Sequence, residues 1–354
     1  MAPGVVVAVL LALVARSLSD SVAQGIGGLP KIPLSPVLYA VLLGMLWRNT
    51  LGVPAWTSEG LKWAMQGLLR TGIALVGLRL TLAGASAIAV TALPVAITCL
   101  AVALASGWVV TRVLGVPRRL GVLLAIGTAV CGCTAVVAIS PVIRAKHAET
   151  AFAVTCVVLF GCLAMLFYPW VAGHFFADSP IHAGVFLGTA IHDTSQVIGA
   201  ALIYSQQAGA PDALAAASVA KLLRNLSIVV LVPAAAWLTR RSDPEEARAT
   251  ATGPTTSTSP VPLFVLAFIL LVALRTAGDA LFVAHPAPWQ ALTHAGQTAS
   301  DLFLICGMTA VGLSVSFNDM WRIGWRPLAA GLLVASFVGA CSLSLTWCLY
   351  RFAV

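Results

Sequence analysis

Long apolar segments, separated by short connectors that carry charge, Pro and Gly, follow one another along the whole of this 354-residue sequence. A helix needs about 20 apolar residues to cross the hydrocarbon core of a bilayer. Of the residues, 60% are hydrophobic and only 9% are charged, whereas a soluble domain carries roughly 25% charged residues. The sequence therefore predicts an all-α membrane protein and excludes a soluble enzyme, a disordered chain and a nucleic-acid-binding domain.

The connectors divide the chain into ten or eleven transmembrane helices within a single polytopic domain, residues 1–354. The predicted segments are 4–25, 33–47, 61–82, 86–113, 119–143, 149–173, 181–207, 213–239, 261–284, 298–317 and 327–350. One long connector, 240–260, is rich in Thr, Ser, Pro and charge, which is typical of a flexible polar loop.

Basic residues predict the orientation, because Lys and Arg in short loops favour the cytoplasmic side. If every segment crosses, the basic residues at 112–119, 240–248 and 322–326 share one side, with the amino terminus inside and the carboxyl terminus outside. The connector with Arg144, Lys146 and His147 then lies outside, against the rule. Either its charges pair with Glu149 and its neighbours, or a segment nearby does not fully cross.

The third, fifth, seventh and tenth segments carry Gly and polar residues at mid-depth, a pattern that predicts broken helices along a transport pathway. In the fifth, the break is expected at Gly132, between Cys131 and Cys133. A half-helix N-terminus there would attract an anion, and Thr128 and Thr134 add hydroxyls. The eight cysteines lie in apolar stretches and indicate packing rather than disulfides or a metal site.

Two internal similarities link these segments. The string GTA at 127–129 recurs 61 residues later at 188–190, and Gly72 with VGL at 76–78 recurs 235 residues later from Gly307. The unequal offsets do not fit one tandem duplication. They give modest support to an inverted-repeat transporter with discontinuous helices near the midplane.

In the seventh segment, His192, Ser195 and Gln196 have the spacing of one helix face, with Asp193 beside it. An ionisable residue at mid-membrane is costly and usually functional. The pattern favours proton coupling through His192 and Asp193 with Ser195, and Gln196 as a substrate contact. The alternative is a buried hydrogen-bonded pair that joins helices.

In the eighth segment, Lys221, Arg224 and Asn225 share one face about two turns inside the predicted helix. They either line the cavity and bind an anion, with Asp193 as the resting counter-ion, or extend their long side chains to the interface.

Four strings, GTAVCGCTAVVAISPVI, GTAIHDTSQVIGAA, VAKLLRNLSIVVLVP and PLFVLAF, together resemble the bacterial family of proposed sulfate exporters. That family is uncharacterised and lies near the bile acid/sodium symporter superfamily. Cys131 and Gly132 match its fifth-helix motif, and Cys133 replaces the usual small residue. The resemblance implies an inverted-repeat carrier with crossing broken helices in the bacterial inner membrane.

These observations predict a secondary transporter of a small anion, of the sulfate, sulfonate or carboxylate class, with proton-coupled export. Sodium-coupled uptake of an organic anion and a passive anion channel are the alternatives. We expect no enzymatic activity, since neither a GxSxG nor an HExxH string occurs. The expected partners are the anion, the bilayer and a second copy of the chain, with no nucleic acid and no cofactor beyond a coupling H⁺ or Na⁺.

Overall fold

A computed structural model describes residues 2–23, 35–227, 231, 263–283, 286–316 and 325–353. The regular elements in these ranges are all helical. The helices are α1 (Ala2–Ala23), α2 (Pro36–Thr50), α3 (Ser58–Trp63), α4 (Leu69–Val76), α5 (Leu82–Val113), α6 (Arg118–Ala129), α7 (Cys133–Ile139), α8 (His147–Phe175), α9 (Pro180–Ala190), α10 (Thr194–Ala208), α11 (Asp212–Leu226), α12 (Leu263–Leu281), α13 (Pro286–Ser314) and α14 (Trp325–Ala353).

Five of these helices, α1, α5, α8, α12 and α14, are long and apolar enough to cross a bilayer, counting only the described residues. The prediction of an all-α membrane protein is therefore confirmed. The predicted polar loop at 240–260 and the last part of the eighth segment lie outside the described residues, and the single-domain organisation stays a prediction.

The third and tenth predicted segments do not contain the expected breaks. The third continues from α3 through a π-turn, Ala64–Leu68, into α4 and a 3₁₀ turn, Gly77–Arg79. The tenth, α13, is one helix from Pro286 to Ser314, and it begins well before residue 298. Their glycines serve packing instead, because Gly72 lies against Leu304 and Gly307 lies against Leu69. Small residues let membrane helices approach closely.

The fifth predicted segment is interrupted as expected, but the chain turns back instead of crossing. Gly127 in α6 lies beside both Val136 in α7 and Val157 in α8. After α7, the Ser140 hydroxyl is hydrogen-bonded to that of Thr150, near the start of α8. Helices α6 and α7 therefore form a hairpin, hairpin 1, that leaves the membrane on the side from which it enters.

The seventh predicted segment is a second hairpin, hairpin 2, made of α9 and α10. Phe186 of α9 packs against Phe176 at the end of α8, with ring centroids 5.9 Å apart. At the end of α10, Tyr204 Oη donates to the carbonyl oxygen of the same Phe176, at 3.2 Å. Between them, Gln196 reaches Val158 near the middle of α8, with Nε2 3.0 Å from the carbonyl oxygen. Hairpin 2 thus enters and leaves on the side of the membrane where α8 ends.

Because α8 spans the membrane, the two hairpins enter from opposite sides. Irregular backbone at this depth is tolerated only where protein or a water-filled cavity satisfies it. The prediction that the fifth and seventh segments cross as broken helices is corrected accordingly. Apolar length does not distinguish a crossing helix from a hairpin of equal length.

Hairpin 1 also resolves the charge conflict at the 144–147 connector. Since α6 and α7 do not cross, Arg144 and Lys146 lie on the same side as Arg118. Arg326, at the start of α14, lies beside Gly115 in the turn between α5 and α6 and joins them there. By the positive-inside rule this side is cytoplasmic, and the second of the two explanations given for the connector is the one the structure supports.

Candidate functional site

The tips of the two hairpins meet near the middle of the membrane. Tip 1 is Val130–Gly132 and tip 2 is Ile191–Asp193. The first arms, α6 and α9, have 12 and 11 residues, so each is about 17 Å long, roughly half the bilayer core. A Cβ added at Gly132 would lie 2.8 Å from Asp193 Oδ1 and 3.1 Å from its Cα. The tips are therefore in direct contact.

Gly132 allows this contact because it has no side chain. Its backbone has φ +67° and ψ −126°, a combination essentially restricted to glycine. The break predicted at Gly132 is thereby confirmed.

Arg224, on α11, binds the carbonyl oxygens at the ends of both first arms. Its Nη2 donates to the carbonyl oxygens of Thr128 and Ala129, at 2.6 and 2.7 Å, and Nε donates to that of Ala129 at 3.2 Å. Its Nη1 donates to the carbonyl oxygens of Thr189 and Ile191. A guanidinium has five N–H donors, and all five are directed at backbone.

Lys221, one turn earlier on α11, also binds backbone carbonyl oxygens, and these lie in the tips themselves. Its Nζ donates to the carbonyl oxygens of Val130 at 2.9 Å, Ile191 at 3.2 Å and His192. These three donated hydrogen bonds use all three N–H donors of a protonated ammonium group. Lys221 is 0% and Arg224 1% exposed, so neither side chain extends to the interface.

These contacts change how the two cations can act on an anion. In this conformation, the side-chain N–H groups that were expected to bind an anion donate to the chain's own carbonyl oxygens instead. Asp193 is not their hydrogen-bonded counter-ion either. Within the described ranges of the chain, salt bridges join Arg79 to Asp301, at 2.7 Å, and Arg275 to Asp279, at 2.8 Å. An effect on an anion would act through the electric field rather than through direct contact.

His192 and Asp193 do not form the expected pair. Asp193 caps α10, where its carboxylate accepts hydrogen bonds from the backbone N–H of Ser195, at 3.0 Å, and from the Ser195 hydroxyl. His192 is 2% exposed, and neither ring nitrogen has a hydrogen-bond partner among the described residues. Because α10 begins at Thr194, His192 lies outside the helix and does not share the predicted helix face with Ser195 and Gln196.

The His192 ring faces a crevice between hairpin 1, α8 and α14. Thr128, Cys156 and Phe160 line it together with His192, and it is too narrow to hold a water molecule. Sequence reasoning missed Cys156 and Phe160, since neither carries a chemical signature in its segment.

The remaining predicted site residues lie around the tips. Gln196 is buried, with Nε2 also 3.3 Å from Cys162 Sγ, and Asn225 Nδ2 donates to Thr194 Oγ1 at 3.2 Å. Cys131 is buried. A set of half-buried or exposed polar residues, which we call the polar rim, lies at and directly after the tips: Cys133, Thr134, Asp193, Thr194 and Ser195. Among the described residues no group of three or more His, Cys, Asp or Glu is placed to bind a metal ion.

Comparisons with known proteins agree with the membrane architecture. A family model described as "Conserved hypothetical protein 698" matches residues 3–331. A protein from Ralstonia nicotianae, named only as a UPF0324 membrane protein, is 36% identical over 321 residues, which cover 86% of this chain and 83% of that protein. A UPF0324 membrane protein from Bacillus anthracis is 28% identical over 336 residues, covering 93% and 89%. No solved structure matches the chain.

Proposed function

The chain belongs to the family described as "Conserved hypothetical protein 698", and from that premise we propose that this bacterial multi-pass membrane protein is a secondary active transporter of a small anion. The matched relatives are named as membrane proteins and nothing more. The substrate class proposed is sulfate, a sulfonate or a carboxylate, and the proposal excludes enzymatic activity.

The balance of charge at the hairpin tips carries this proposal. Each tip joins the negative end of one helix dipole to the positive end of the next, so the dipoles roughly cancel. Lys221 and Arg224 add two positive charges, and Asp193 adds one negative charge. About one positive charge is left in a region of low dielectric constant, where an uncompensated charge is costly. A monoanion, or one end of a larger anion, at the polar rim would compensate it.

The opposed hairpins support a carrier rather than a pore. Transporters built from inverted repeats bind substrate at the midplane, where half-helices end. We propose that hairpin 1 with α8 and hairpin 2 with α11 are inverted counterparts. The GTA strings support this assignment, because 127–129 ends α6 and 188–190 ends α9.

Proton coupling is the proposed driving force, with export as the direction. His192 supplies a buried imidazole without a partner, and Asp193 supplies a carboxylate at the polar rim. The runner-up, sodium coupling, has one observation in its favour: carbonyl oxygens of unwound backbone at the tips are ligands of the kind that sodium binds.

Transport into proteoliposomes tests these alternatives. For a proton-coupled carrier, uptake of radiolabelled sulfate or a sulfonate saturates, counter-exchanges with unlabelled substrate and responds to an imposed pH gradient. A response to a sodium gradient alone would favour the runner-up, and flux that neither saturates nor exchanges would indicate a channel. Asp193→Asn is expected to abolish the pH dependence, and an unchanged pH profile in this variant would remove Asp193 from the coupling.

A further inference from the structure

The two hairpin tips form a cage of carbonyl oxygens of the kind that binds cations. Six residues contribute a carbonyl oxygen that accepts from Lys221 or Arg224: Thr128, Ala129, Val130, Thr189, Ile191 and His192. The C-terminal ends of half-helices and unwound carbonyls are the groups with which carriers coordinate a coupling Na⁺. Without a cation, these buried oxygens would lack partners at a cost.

The chain fills this cage with its own side chains. Both cations are tethered to one helix, α11, and are almost completely buried. Helix α11 is pressed against α9, since a Cβ at Gly188 would lie 2.6 Å from the carbonyl oxygen of Ala217 and 2.7 Å from Ala220 Cβ. The ammonium and guanidinium groups are therefore held at the tips rather than exchanged with solvent.

We propose that Lys221 and Arg224 are resident cations that replace a dissociable metal cation, so that the hairpin tips bind no sodium. Truncating either side chain then opens a site for a free cation of matching size. The consequence for transport, independence from sodium, rests on the proposed function; the cation site itself does not.

Thermal unfolding of the purified full-length protein tests the cation site without any substrate. At constant ionic strength, replacing N-methylglucamine by sodium should leave the unfolding midpoint of the parent chain unchanged. Lys221→Ala should unfold several degrees lower, and methylammonium or sodium should raise its midpoint saturably, because ligand binding to the folded state raises apparent stability. Lys62→Ala, at an exposed lysine of α3, is the matched control and should show no such response.

Arg224→Ala provides the second arm, with guanidinium at low millimolar concentration as the probe and urea as the uncharged control. Guanidinium should raise the midpoint of this variant but not that of Arg79→Ala, whose arginine pairs with Asp301 instead. For a variant that unfolds on extraction, the probe cation is added during solubilisation, and the yield of folded protein becomes the readout.

Two results would overturn the proposal. The first is saturable stabilisation of the parent chain by sodium. The second is a midpoint or yield of Lys221→Ala and Arg224→Ala that responds to the small cations no more than the control variants do. Failure of sulfate or sulfonate transport would contradict the proposed function and leave this test unaffected.

Discussion

Replacing Gly132 by alanine should disrupt the contact between the hairpin tips. The added Cβ would stand 2.8 Å from Asp193 Oδ1, 3.0 Å from its Cβ and 3.1 Å from its Cα. The last of these atoms belongs to the backbone, which cannot move aside as a flexible side chain can. Overpacking of this kind costs about 1–3 kcal/mol, and holding a residue with a Cβ at φ +67° and ψ −126° costs about 1–3 kcal/mol more. The expected loss is about 2–6 kcal/mol.

Gly209→Ala is the matched control for this substitution. Gly209 also has a positive φ, +63°, at the end of α10, but a Cβ there would meet nothing within 4 Å. Its cost is limited to left-handed backbone strain of about 1–2 kcal/mol, partly offset by the reduced entropy of the unfolded chain.

Thermal unfolding in detergent, followed by tryptophan fluorescence, compares the two variants. Gly132→Ala should lower the unfolding midpoint clearly more than Gly209→Ala does, and it should also reduce transport in proteoliposomes. Equal midpoints for the two variants would contradict a direct contact between the hairpin tips.

Three further predictions test other parts of the structure. Gly161→Ala should lower the free energy of unfolding by about 1–3 kcal/mol, because its Cβ would overlap the Gln196 side-chain amide. Gly173→Ala is the control: its Cβ would reach only ordinary contact distance, so it should cost less in the same denaturation assay. Lys146→Cys and Arg118→Cys, which flank hairpin 1, should both be labelled by an impermeant maleimide from the same side of the membrane, each more strongly than the parent chain. Labelling of the two variants from opposite sides would contradict hairpin 1. Arg224→Lys keeps the positive charge but has three N–H donors instead of five. It should therefore lower the unfolding midpoint and leave the apparent substrate constant nearly unchanged. A large rise in that constant would instead indicate direct contact between Arg224 and the anion.

Sequence patterns predicted only some of the helix breaks, and not where the chain goes next. Gly and polar residues at mid-depth located the break at Gly132 correctly, but they also indicated breaks in the third and tenth segments that the structure does not contain, and His192 was expected on a continuous helix face. The GTA strings, predicted only as an internal similarity, lie at the ends of α6 and α9. The return path has no comparable signature, because the apolar length of a hairpin equals that of a crossing helix. Only the basic residues at 144–146 indicated it, through their conflict with the alternating topology.

The sequence left open whether Lys221 and Arg224 are buried, and it did not show what they bind. The spacing of Lys221 and Arg224 predicted a shared helix face, and both lie on the buried face of α11. Their partners are main-chain oxygens, which every residue carries and no sequence pattern distinguishes. A carboxylate was therefore the expected partner, although the peptide oxygens at two helix ends satisfy eight donors.

The kind of partner that Lys221 and Arg224 bind, carbonyl oxygens instead of a carboxylate, decides whether they keep a net charge at the tips. A carboxylate partner would neutralise each cation, and the tips would then have no charge to offer a substrate. Carbonyl oxygens satisfy the hydrogen bonds but carry no net charge, so Lys221 and Arg224 keep theirs while Asp193 offsets only one. Hydrogen bonding fixes the two hairpins to α11, and the charge left over acts on whatever reaches the polar rim. In the proposed transporter, the same two side chains would thus hold the tips together and favour an anion without touching it.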